Sequence, residues 1–464
     1  MIPPLFLRPL LLRPLLLRPL PSGPVASPLA FLLAAAFLPF AAGVSRAAEW
    51  DQVVAGYGNL EWIAGLGGES PNNGNEWNFA DGRDAREAEL SEPHSAMGDL
   101  NGNVLVADKN AHAIRLIRPD GTLHTIAGTN VAGHNGDGPA TQRQLNGPQN
   151  AYPLPDGSFY IMDTGNRMIR KVDPAGMMTT LITEQNAWLS RGLWVKRDGS
   201  LIYYCTTTSL HRWTPAMGNN PGTVMASVFQ ECGNIDVAAN GDVYVTDRTL
   251  SQVFRVAPDA TPATFTPVVV AGTGGNDDDG PGSNGTAALE LGLRGVRGIA
   301  FHPLGGYFLA THKGGDIWYV DTAGKAWVTV NGNDGSVHNP SPQPLPAAGM
   351  TIAEPRCVSV AINGDLLMAT NDAGYIRRAR FTGPVSPAPA LQAGMTGSGG
   401  FRLEWAGADD KWYRVDSASD PSGSWVPRSV LAPPYSGPNS WTDPESAEFS
   451  RQFYRVREFR NWPN

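Results

Sequence analysis

Four side chains of this 464-residue chain stand out for the chemistry they could share: His94, Arg191, Arg297 and Arg356. Each lies eight residues before a turn glycine, and Gln149 and Gly233 hold the same place before two further turns. Residues at one offset of a closed repeat converge on a common axis. Guanidinium groups gathered in a concave site repel one another, so they suit an anion, to which they offer forked hydrogen bonds. The competing account is internal neutralisation by acids of the flanking connections, Glu92, Asp279 or Glu354. One residue further on come Ser95, Asn150, Gly192, Asn234, Gly298 and Cys357. Asn150, Asn234 and Asp236 are the oxygen donors that a calcium ion in the channel would use.

The elements that must position these residues follow from the turns. Asp-Gly or Asn-Gly steps end on Gly102, Gly157, Gly199, Gly241 and Gly364, and Gly305, the first of a Gly-Gly pair, aligns with them. Short apolar runs flank them, the pattern of antiparallel strands joined by tight hairpins. Nine residues before each glycine stand Pro93, Pro148, Ser190, Cys232, Val296 and Pro355; six after stand Asp108, Asp163, Cys205, Asp247, Thr311 and Thr370. The next strand carries Arg115, Arg170, Arg212, Arg255 and Arg377, with Trp318 in the fifth copy. A recurring Asp and Arg on adjacent strands is expected to be a structural pair, since one active site needs only one.

The stretch from Leu145-Asn146-Gly147-Pro148 to Asp163-Thr164-Gly165-Asn166-Arg167-Met168-Ile169-Arg170 resembles the NHL repeat, and the resemblance extends over roughly residues 60–382. It implies an all-β fold, a six-bladed β-propeller of four-stranded blades. The last copy lacks a fourth strand, and Glu61–Gly65, similar in form to Ile126-Ala127-Gly128, is expected to supply it and close the ring. Related propellers include binding modules, lyases with histidine-bound zinc and lactonases or esterases with a channel calcium. Zinc would have to be assembled from His94 and the loop residues His134 and His338. The calcium set lacks the glutamate usual in such lactonases. No Gly-x-Ser-x-Gly elbow occurs.

The long connections Gly67–Glu92, Gly128–Gly147, Gly272–Gly295 (with Asp277, Asp278 and Asp279) and Gly332–Glu354 are where loop-borne binding is expected. Residues 1–47 combine Arg8, Arg13 and Arg18 with an apolar run from Leu29 to Val44 and small residues after it, the form of a secretory signal. Residues 48–382 form the propeller, 383–392 a Pro/Ser/Gly linker. Residues 393–464, with Phe401–Trp405, Trp412–Val415 and Gln452–Val456 alternating in polarity, resemble a small β-sandwich module common at the ends of secreted bacterial proteins. Of three cysteines, Cys205 and Cys232 in consecutive copies are the expected disulfide, leaving Cys357. A net charge of -8 offers no footprint for nucleic acid. The expectation is an exported monomer without a membrane span after signal removal. It binds an anionic ligand (acidic glycan, peptide or small anion) and needs no cofactor; the alternative is a metal-dependent propeller hydrolase or lyase.

Overall fold

In the computed structural model six antiparallel sheets succeed one another along the chain, each started by the same local device. The six turn glycines all adopt left-handed φ, from 70° at Gly199 to 110° at Gly305, which lets the first hairpin of every sheet close tightly. The described residues are 53–66, 81–275, 282–302, 305–330, most of 352–382 and the strands between 391 and 460. The signal region 1–47, the linker residues 383–390, Asp277, Asp278, Asp279 and His338 lie outside them.

The inner strands are Pro93–Gly98, Asn150–Pro153, Leu189–Val195, Cys232–Val237, Val296–Phe301 and Pro355–Val360. Each packs against the next and the last packs against the first, which closes a six-bladed propeller. Blade six has three consecutive strands, and its fourth is Tyr57–Ala64 from the start of the described chain. Tyr57 pairs with Phe381 and Trp62 with Arg377. The closing strand therefore begins four residues earlier than the expected Glu61. Its buried side chains Tyr57 and Leu60 join Phe308, Tyr319 and Phe381 in one core cluster. Blades two and five each gain a two-residue fifth strand, Gly138–Pro139 and Thr286–Ala287.

Blade three departs from the expected register. Leu189, not Ser190, pairs with Thr206, not Cys205. Pro93 with Asp108 and Cys232 with Asp247 are the corresponding pairs in blades one and four. The inner strand of blade three carries an extra residue, so its bulge is larger and Arg191 still falls in place with His94. The arginine alignment also shifts. His211 sits opposite Tyr204, and Phe254 opposite Val245, where Arg115 and Arg170 stand opposite Val106 and Ile161. Arg212 and Arg255 point outward and are exposed.

The expected Cys205–Cys232 bridge is not formed. All three cysteines are free and buried. The packing of blade three on blade four does bring the two thiols together. Burial, then Cys205, pushes the Cys232 thiol well up, so it stays in the protonated form that does not exchange.

The C-terminal strands form two three-stranded antiparallel sheets. One is Leu391–Met395, Phe401–Gly407 and Gly437–Thr442; the other is Val426–Leu431, Lys411–Ala418 and Phe453–Arg460. Leu403 and Trp405 of the first pack with Val415 and Val456 of the second, the core of a small sandwich. Among the described residues no helix is long and apolar enough to cross a membrane.

His302, at the far hairpin of blade five, is 4% exposed and packed edge-on against Phe381 (5.0 Å) and Phe308 (5.9 Å). Burial pushes its pKa down to about 3 from 6.5. In that interval the unfolded chain takes up a proton that the folded one refuses, so stability falls as pH drops from about 6.5 toward 3. His302→Phe should flatten this part of the pH–stability curve measured by urea unfolding; an unaltered slope would show that other groups set it.

Candidate functional site at the propeller mouth

The mouth is shaped by a backbone irregularity at the start of the inner strands. In blades one, five and six the register shifts between Pro93 and Ser95, Val296 and Gly298, and Pro355 and Cys357. The unpaired residue in each bulge is His94, Arg297 or Arg356. Blades three and four carry related shifts around Arg191 and Gly233. A bulge bends the strand and re-aims one side chain. Gln149 takes the same place in blade two, its N–H donating to Met162 O (3.0 Å).

In blades one, two and four a strand-end aspartate fixes the turn that leads into the inner strand. Asp108 accepts from Ser91 N (2.6 Å), Asp163 from Asn146 N (2.7 Å) and Asp247 from Gln230 N (2.7 Å). Arg115 and Arg170 lie 3.8 and 3.6 Å from Asp108 and Asp163, and loop residues Asp81 and Asp137 reach the same arginines. The Asp–Arg pairs are thus part of the scaffold.

The mouth residues meet. Arg191, Arg297 and Arg356 act on one another electrostatically, and Arg191 and Arg356 act on His94. Arg297 is 3% exposed, and its Nε and Nη1 have no hydrogen-bond partner; Arg191 Nη1 is likewise unmatched. Burial first, then the neighbouring arginines, pushes the Arg297 pKa far down. A guanidinium keeps its proton in practice, so the shift registers a demand for negative charge. His94, with Nδ1 2.9 Å from Glu92 O, is held neutral by burial and by Arg191 and Arg356.

Three carboxylates answer in part. Glu92 accepts from Lys109 Nζ (2.7 Å) and lies 3.9 Å from Arg356; Glu354 lies 3.3 Å from Arg356 and 3.0 Å from His312 Nε2; Glu231 accepts from Arg248 Nη1 (3.0 Å). Among the described residues this leaves five cationic groups (Lys109, Arg191, Arg248, Arg297, Arg356) against three carboxylates. Glu231, Arg248 and His312 were missed in the sequence, although a signal for them existed. They stand one residue outside the positions compared, either before the inner strand or after the second strand. Glu92 and Glu354 adopt left-handed φ of 64° and 40°, where blades two and five place Gly147 and Gly295. Non-glycine residues held in that conformation concentrate at functional sites.

Beneath this ring the channel widens into a cavity of about 110 Å³, lined by Ser95, Asn150, Asn234, Asp236 and Cys357 among others. That is room for about three waters. Asp236 accepts from Val237 N and Phe301 N, both 2.8 Å, tying blade four to blade five, and burial raises its pKa to about 7. Asn150 Nδ2 donates to Arg191 O (2.9 Å), and the Oδ1 atoms of Asn150 and Asn234 have no partner. His134 is exposed in its loop whereas His94 is buried. Among the described residues no group of three or more His, Cys, Asp and Glu is placed to hold a metal.

No protein-family model matches the sequence, and no curated protein does. Among solved structures the chain is similar to a protein of unknown function from Bacteroides thetaiotaomicron, with 15% identity over 69% of this chain and 75% of that one and a TM-score of 0.53. It is also similar to auxiliary nutrient binding proteins from Bacteroides ovatus (13%, 69% and 76%, TM-score 0.51) and Bacteroides thetaiotaomicron (13%, 69% and 75%, TM-score 0.50). At these identities the likeness concerns the fold alone.

An unpaired buried guanidinium among like charges destabilises the ligand-free protein. Replacing it with an apolar side chain of similar length is expected to stabilise by on the order of 1–4 kcal/mol. Arg297→Met should therefore raise the Tm of the ligand-free protein. A lowered Tm would mean that the guanidinium supports the fold.

Proposed function

We propose that the chain is an exported NHL-type propeller that works by binding, and that its mouth receives an anion. The observation that carries this reading is the buried, incompletely hydrogen-bonded Arg297 beside Arg191 and Arg356, with fewer carboxylates than cationic groups around them among the described residues. An entering carboxylate, phosphate or sulfate would accept from the vacant guanidinium N–H groups and relieve their repulsion. His94 and Gln149 sit at the same level as donors or acceptors, and Asn150 and Asn234 lie one level deeper. The name nutrient binding protein carried by two structural neighbours agrees in kind with this role. Export rests on the secretory form of residues 1–47, and a monomer needs no partner copy to complete the mouth.

A second reading, a hydrolase or lyase using calcium in the channel, draws on the unmatched Oδ1 atoms of Asn150 and Asn234 beside Asp236. Against it, both carboxylate oxygens of Asp236 already accept backbone N–H groups. Stoichiometric calcium in metal analysis of the purified full chain would favour it.

The binding reading is tested by titrating the full chain with citrate, sulfate and galacturonate at constant ionic strength, following Tm and heat. Saturable stabilisation by at least one anion is expected. Arg297→Ala and Arg356→Ala should each weaken it by about tenfold or more. Unchanged affinity in both variants would dispose of the reading.

A further inference from the structure

The residue just before the inner strand in five blades, and Gly147 three residues before it in blade two, form an outer ring around the mouth: Glu92, Gly147, Trp188, Glu231, Gly295 and Glu354. One backbone contact marks the position in four blades. Its carbonyl accepts from the residue that follows the second strand, as Glu92 O does from Lys109 N, Trp188 O from Thr207 N (2.9 Å), Glu231 O from Arg248 N (2.9 Å) and Gly295 O from His312 N. Five places in this ring are acidic or glycine. The sixth, Trp188, is 60% exposed, the most exposed large apolar side chain among the described residues. Tryptophan, with a broad apolar face and a polar N–H, is a residue type enriched at contact surfaces.

Trp188 is also held in place. The Arg167 guanidinium carbon lies 5.1 Å from the indole centroid. Arg167 is itself fixed, with left-handed φ of 57° and Nη1 donating to Gln185 O (3.0 Å). One face of the ring is thereby occupied, and the side chain is ordered before any ligand arrives, which lowers the entropic cost of binding. In blade two the ring position is Gly147, where an added Cβ would meet only Lys109 Cγ at 3.8 Å.

We propose that the ligand of the mouth is an acidic saccharide, whose pyranose ring lies against Trp188 while its carboxylate is held by Arg191 and the neighbouring arginines. This rests on the anion-binding reading and narrows it. Sugar rings present a C–H face that packs on indole and a rim of hydroxyls. Glu231, a third exposed, and Glu354 can accept from such hydroxyls. The same carboxylates would repel a densely charged phosphate, and an acidic peptide has no rigid C–H face to offer.

The test is calorimetry on the full chain with a short oligogalacturonide, citrate, a neutral gluco-oligosaccharide and a poly-glutamate peptide at one ionic strength. The oligogalacturonide should bind more tightly than the other three. Trp188→Ala should weaken it by about tenfold, Trp188→Phe should restore most of the loss, and neither should alter citrate binding or Tm. If the peptide binds as well as the oligogalacturonide, or Trp188→Ala leaves the saccharide unaffected while citrate still depends on Arg297, the saccharide inference falls and the anion reading stands. If no anion binds at all, both fall.

Discussion

The bulge at the head of the inner strands is the constraint from which the mouth follows. A regular strand alternates its side chains between the two faces of the blade, so adjacent residues could not all serve the axis. One unpaired residue breaks the alternation and releases His94, Arg297 and Arg356 from the ladder. In blades one and four the strand-end Asp108 and Asp247, bonded to Ser91 and Gln230, hold the turn that precedes the bulge. Geometry at the axis is thus supported from within the blades, by the same bond in blades one, two and four.

Charge and fold pull in opposite directions at this point. A closed propeller buries the inner-strand side chains, and burial is what guanidinium groups resist most. Around Arg191 and Arg297 the field is moderated, without being cancelled, by Glu231. Stability lost locally is recovered in the large apolar contacts between blades, such as the cluster of Tyr57, Phe308, Tyr319 and Phe381 at the closure. A site that is destabilised when empty and embedded in a rigid ring has little freedom to relax around its charges.

Much of this was legible beforehand because tight turns demand specific residues. Glycine after Asp or Asn between apolar runs announces a hairpin, and five such steps together with Gly305-Gly306 marked six blades. Three mouth arginines were found in the same way. Two kinds of residue were not. Arg212 and Arg255 were mistaken for members of the buried Arg position, since a one-residue change in strand length exchanges the two faces of a strand; His211 and Phe254 stand there instead. Trp188, Glu231, Arg248 and His312 lie in turns beside the strands, and their meeting depends on how neighbouring blades are packed.

The amino-acid order by itself determined the number of blades, the turn positions and the residues offered to the axis, because these depend on local backbone preferences that a few neighbouring residues set. The borrowing of Tyr57–Ala64 as the last strand was also foreshadowed, since a missing strand and a spare one were both visible. Only the tertiary structure decided which side chains are paired and which stay unmatched, that Cys205 and Cys232 face each other as thiols, and that an exposed indole stands in the outer ring of the mouth. Those outcomes depend on distances between blades far apart in sequence. Long-range packing sets them, and no local pattern encodes it.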